Sequence, residues 1–181
     1  MEDRFVEEDV RHRLILSGIT ELEEHGIAGF SLRRAAMSAQ VSCAAPYRHF
    51  KDKEEYISGI ISYVESKWEL LSREIGRVFN NEARMLVIEI CIASLRFRIA
   101  NRHLPMALAH TKDSGKSIDG SIEDAVLRYC EASGLGEGER ELYTFNAISL
   151  VYGALSMVND SNTEEILSLT RRALEERFKE I

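Results

Sequence analysis

Between Ser31 and Lys53 the chain gathers side chains suited to a polyanion: Arg33, Arg34, Arg48, Lys51 and Lys53 stand against one acid, Asp52. Short donors lie among them. Ser31 and Ser42 are N-cap types that open two short helical stretches, where backbone N–H groups lack intrahelical partners and can face an anion. Tyr47, His49 and Lys53 follow at positions from which phosphate oxygens can be held. Cys43, Ala44, Ala45 and Arg48 sit where side chains face base edges if the second stretch enters a major groove. There alanine can meet a thymine methyl and arginine can pair with guanine. The chemistry implied is reversible binding of duplex DNA.

Bond-making chemistry finds no comparable support. No Gly-rich phosphate loop, nucleophile elbow or spaced carboxylate pair occurs. The five histidines, His12, His25, His49, His103 and His110, form no His-Glu-x-x-His motif and have no cysteine pair beside them, so neither metal nor cofactor is expected. Cys43 stands near Arg48 and a helix start, both of which favour a thiolate, yet most lone cysteines are inert. Three separated cysteines, Cys43, Cys91 and Cys130, make no disulfide framework and point to a reducing cytoplasm. The formal net charge of −7 excludes indiscriminate coating of nucleic acid or acidic membrane, so the DNA contact has to be local. No apolar run of about 18 residues exists and the N-terminus is charged, so no membrane partner is expected. A helical enzyme and a helical scaffold are the competing classes. Steep salt dependence of DNA affinity separates both from a DNA-binding protein.

The elements that must position these residues read as helices throughout. Only 2 prolines and 11 glycines interrupt 181 residues, of which 45% are hydrophobic. From Val10 the stripe Leu14, Ile15, Ile19, Leu22 predicts a first helix stopped at Gly26. Ser31 caps a short helix with Leu32, Ala35, Ala36 and Ala39 on its apolar face, and a turn at Gln40 and Val41 leads to a second starting at Ser42. That helix tolerates Pro46 in its first turn. Asp52 and Glu55 form a capping box for a long helix carrying Ile57, Ile60, Ile61, Val64, Trp68, Leu71 and Ile75. Met85 to Ala100 is apolar on all faces, which suits a helix at the centre of a bundle, although Ile88, Ile90 and Ile92 alternate as a strand would. A short helix over Leu104 to Ala109 and a loop over Thr111 to Ser121 come next. Stripes then follow at Ile122, Ala125, Val126, Tyr129; at Phe145, Ile148, Tyr152, Leu155, Val158; and at Ile166, Leu169, Ala173, Leu174, Phe178. The fold class is all-α, with about nine helices.

The strings Phe30-Ser31-Leu32-Arg33-Arg34-Ala35-Ala36, Val41-Ser42 and Tyr47-Arg48-His49-Phe50-Lys51-Asp52-Lys53-Glu54 resemble the DNA-binding signature of TetR-type (TetR/AcrR) transcriptional regulators. The resemblance spans about Leu14 to Tyr56. Gln40 and Cys43-Ala44-Ala45-Pro46 depart from the commonest pattern, while Ala-Ala-Pro-Tyr-Arg-His-Phe is a variant within the same family. The resemblance implies a helix-turn-helix domain over 1–52, with Ser31, Ser42, Tyr47, His49 and Lys53 on phosphates. Arg33, Cys43, Ala44 and Arg48 complete the DNA-facing set. It further implies a helical effector-binding and dimerisation domain over 53–181, a homodimer on near-palindromic operator DNA, and a small-molecule effector that releases it. Middle-helix aromatic and apolar residues, Trp68, Phe97, Met106, Tyr129 and Tyr152, are candidates to line the pocket and favour a hydrophobic or amphipathic effector. Phe145, Ile148, Tyr152, Leu155, Ile166, Leu169, Ala173 and Phe178 are candidates for the dimer contact, where Gly153 and Ala154 allow close packing.

Overall fold

The computed structural model describes residues 2–104 and 117–179, with side chains from residue 9 onward. Met106, His110 and most of the expected short helix over 104–109 lie outside the described residues. Among the described residues the chain is all-α, in eight helices: α1 Glu2–Gly29, α2 Leu32–Ser38, α3 Pro46–His49, α4 Lys53–Val78, α5 Ala83–Ala100, α6 Ile118–Ser133, α7 Glu137–Met157 and α8 Thr163–Arg177. No described helix is long and apolar enough to cross a membrane. The helices form two compact units, one of residues 2–67 with 103 and 104, the other of 68–102 with 117–179. The division falls inside α4, whereas residue 53, the boundary expected from sequence, is where that helix begins.

In the first unit α1 runs past the expected stop, yet Gly26 breaks it: with φ 63° and ψ 179° it leaves helical geometry and kinks the last turn. Leu14, Ile15 and Leu22 of α1 are buried with Phe30, Ala35, Ala36, Phe50, Tyr56 and Ile60. Gly18 permits the close crossing of α1 and α4, because a Cβ there would stand 2.7 Å from Ile60 Cδ1 and 3.1 Å from the Tyr56 ring. Tyr56 stacks on Phe50 with ring centroids 4.3 Å apart and donates its hydroxyl to the Leu14 carbonyl. Burial lifts its pKa to about 12, so it acts as a neutral donor.

The second unit is built around α5. Leu86, Val87, Ile88, Ile90, Cys91, Ile92 and Leu95 are all buried, because α6, α7 and α8 each pack against this helix. The strand-like alternation of its isoleucines thus reflects a helix covered on several sides. Ile122, Ala125, Val126 and Tyr129 of α6 are buried as expected, and Gly134 at φ 67° closes that helix in the left-handed conformation. On α7 the buried stripe is Ala147, Val151 and Ala154, a different set from the larger side chains that the sequence offers for the dimer contact. Small residues occupy the contact, and Phe145 stays 68% exposed.

Two of the expected dimer residues are also corrected. Ile166 and Phe178 are buried in the chain's own core, Phe178 completely, between the rings of Tyr129 and Tyr143 at 5.0 and 5.3 Å. Arg84 donates to the carbonyls of Phe178 and Glu175, satisfying acceptors left open at the end of α8. Arg171 of α8 grips Glu89 of α5 through two bonds of 2.6 and 2.9 Å.

Candidate nucleic-acid interface

Ser31 has extended backbone (φ −128°, ψ 116°) and its hydroxyl accepts from the Arg34 N–H, so it caps α2 as its residue type demands. The backbone N–H of Ser31 donates to Glu21 Oε1 at 3.0 Å. Arg34 also holds Glu21 through Nε and Nη2, and its Nη2 donates to the Gly29 carbonyl. Arg34 is therefore tied to the scaffold, and Arg33, beside it, is the exposed arginine of this helix with no such anchor among the described residues. Glu21 had no place in the sequence reading, although its position seven residues after buried Leu14 puts an acid on the apolar face of α1.

Burial by itself would raise the pKa of Glu21. The Arg34 hydrogen bonds, the Ser31 N–H and the charges of Arg34 and His25 outweigh it and leave the carboxyl below its ordinary 4.5. A lowered folded-state pKa gives stability that is present above the unfolded value and is lost as pH falls through the folded one. Glu21→Gln should therefore cost about 1.5–3 kcal/mol near neutrality, as hydrogen bonds to a charged group do. In urea titrations the difference from wild type should shrink as pH falls from 4.5 through the lowered folded-state pKa; a constant difference at every pH would dismiss the charge.

After α2 the chain turns through Gln40, whose φ of 57° is left-handed, while Val41 N–H returns to the Ala36 carbonyl at 3.0 Å. A non-glycine residue pays roughly 1–2 kcal/mol for that conformation. The next helix does not begin at Ser42 as expected. Residues 42–45 form turns, Ala45 N–H reaching the Ser42 carbonyl at 2.9 Å, and helical geometry covers only Pro46–His49. Proline supplies the reason: it takes the first helical position, where its missing N–H and fixed φ are harmless.

Ala45, Pro46 and Phe50 are buried and anchor the segment, while Ser42, Cys43, Ala44, Tyr47 and Arg48 are exposed and His49 is half-buried. Tyr47 is 66% exposed, a large ring with no core role. Lys53 is half-buried; its Nζ lies 3.4 Å from the Ala28 carbonyl and 6.0 Å from the Phe30 ring centroid. Asp52 caps α4 by accepting the Glu55 N–H at 2.8 Å, and Glu55 reciprocates on the Lys51 N–H at 2.6 Å, one residue before the position expected of a capping box. The structure thus brings exposed Ser42, Cys43, Ala44, Tyr47 and Arg48 onto one braced turn and short helix, while exposed Arg33 stands on α2.

The pocket candidates are less united. Trp68 is buried, 5.4 Å from the Phe97 ring, with its Nε1 donating to Ser121 Oγ at 3.1 Å. Tyr152 donates to Asp119 at 2.9 Å and lies under the Arg98 guanidinium, which itself holds Asp119 at 2.6 Å. Tyr129 belongs to the separate ring cluster with Tyr143 and Phe178. Arg98 and Asp119 escaped the sequence reading because charged residues 21 positions apart carry no pairing signal.

The architecture is all-helical: short helices joined by a tight turn near the N-terminus, followed by a larger helical unit. Among solved structures sharing this fold is FadR, a transcriptional regulator from Bacillus subtilis in complex with stearoyl-CoA. It has TM-score 0.63 and 14% identity, over 94% of this chain and 98% of that one. A protein of unknown function from Rhodococcus sp. RHA1 matches with TM-score 0.64 and 21% identity, over 94% of this chain and 96% of that one. No family model and no curated protein matches the sequence.

Proposed function

We propose that this chain is a cytoplasmic, TetR-type transcriptional regulator, a binding protein and not an enzyme, that represses by holding a near-palindromic operator as a homodimer. The observation that carries the reading is the outward display of Cys43, Ala44, Tyr47 and Arg48 on a segment pinned through Ala45, Pro46 and Phe50. Rigid backing with exposed donors is what reading DNA requires. Residues 1–52 supply the DNA contact, with Ser31, Ser42, Tyr47, His49 and Lys53 on phosphates, Cys43, Ala44 and Arg48 toward the bases, and Arg33 among the DNA-binding residues. Residues 53–181 supply the effector site and the dimer. Exposed Phe145 and Leu169 lead the dimer contact, with half-buried Ile148, Tyr152, Leu155 and Ala173 beside them.

The effector is a hydrophobic or amphipathic small molecule. The bound stearoyl-CoA of the FadR structure makes a long-chain acyl thioester the first compound to test. Trp68, Phe97 and Tyr152 are the described candidates to meet it, and α4, continuous from one unit into the other, is the element through which it acts. Release requires unequal affinity of the ligand for the DNA-binding and released states. Selection from a pool of random duplexes should enrich a near-palindrome with half-sites about one helical turn apart, roughly 34–36 Å. Adding stearoyl-CoA should then lower occupancy. Failure to enrich any sequence would turn the reading toward a scaffold.

A further inference from the structure

A groove of about 290 Å³ opens in the second unit between α4 and α6, floored by Leu86 and Ile90 of α5 and by Ala125. Its walls carry two acid–base pairs, Glu69 and Arg73 on α4 and Asp124 and Arg128 on α6. Both wall helices run against α5: Trp68 meets Phe97, Asp119 meets Arg98, and α4 passes into α5 through residues 79–82. They therefore run parallel to one another, with Trp68 bonded to Ser121 near one end. On each wall the acid precedes the arginine by four residues, so both carboxylates lie toward one end of the groove and both guanidiniums toward the other. Four residues of helix separate them by about 6 Å.

Glu69 already holds Arg73 at 2.7 Å, but Asp124 and Arg128 are exposed and make no ion pair among the described residues. Gly76 completes the wall. A glycine within a helix is less stable than alanine, and here no neighbour requires it, since an added Cβ would meet nothing within 4 Å. We propose that this groove binds a short zwitterion with an apolar body, its carboxylate toward Arg128 and its ammonium toward Asp124, the chemistry of a small apolar peptide. This site stands apart from the DNA reading, which survives or fails independently.

The probe is the dipeptide leucyl-leucine, titrated calorimetrically into the full chain without DNA, beside its N-acetylated, C-amidated form. Saturable binding is expected for the zwitterion, with at least tenfold weakening both in the blocked form and in Arg128→Gln. Gly76→Phe should abolish it while circular dichroism stays helical. If Gly76→Phe unfolds, Arg128→Gln decides, because that side chain is exposed and outside the core. No heat at millimolar dipeptide, equal binding of the blocked form, or unchanged binding in Arg128→Gln would each overturn the assignment.

Discussion

Replacing Tyr47 and Lys53 together by alanine is expected to weaken binding to every duplex by about 100-fold. Each side chain is read as donating to a phosphate, and a hydrogen bond to a charged group contributes about 1.5–3 kcal/mol, with incomplete additivity bringing the pair to roughly 3 kcal/mol. The single variants should separate by salt. If Lys53 neutralises a phosphate and releases a counterion, as proposed, Lys53→Ala should flatten the slope of log affinity against log salt by about 0.9. Tyr47 is a neutral donor, so Tyr47→Phe should lower affinity with the slope unchanged. Fluorescence anisotropy on one duplex across a salt series reads both. Lys53 also leans on the Ala28 carbonyl, and the urea midpoint of Lys53→Ala provides the control for a folding effect. A double variant indistinguishable from wild type at every salt concentration would remove the interface.

The second large effect contrasts two phenylalanines that the sequence treats alike. Phe178 is completely buried between Tyr129 and Tyr143, and Phe178→Ala should cost about 3–5 kcal/mol in folding through lost transfer energy and an unfilled cavity. Phe145 is 68% exposed, so Phe145→Ala should change the folding of a single chain by less than about 0.5 kcal/mol. If its face joins two copies, Phe145→Ala should instead weaken the dimer, by about 1–2 kcal/mol for an aromatic contact partly buried at an interface. Chemical denaturation and sedimentation at several protein concentrations separate the two quantities. A dimer affinity left unchanged by Phe145→Ala would show that the exposed face of α7 is no interface.

These two residues also mark where sequence reasoning stops. The helical class, the cap at Ser31, the break at Gly26, the cap of α4 at Asp52 and the buried stripe of α6 follow from local rules: a hydroxyl satisfies open N–H groups, glycine leaves helical geometry without penalty, and a period of 3.6 places apolar residues on one face. Exposed Ser42, Tyr47 and Arg48 were legible too, because their side chains are good donors, whereas Ala45, expected to face base edges, is buried under the segment. Apolar periodicity on α7 and α8 names a stripe but not what covers it. Packing of α5 against small Ala147 and Ala154 rotated the buried face away from Phe145, and closure of the core around Phe178 withdrew that ring from any partner.

The same boundary separates Arg33 from Arg34. Adjacent in sequence and identical in chemistry, they part only when α1 brings Glu21 beside the start of α2 and ties Arg34 to it. The meeting of Arg98, Asp119 and Tyr152 is likewise a tertiary outcome. The chain's residues by themselves determined which segments are helical, how α2 and α4 are capped, and which donors stand near the N-terminus. Which charges are committed to the scaffold, and which apolar faces remain outside, the three-dimensional packing decided, because both depend on groups far apart in the chain competing for the same partner.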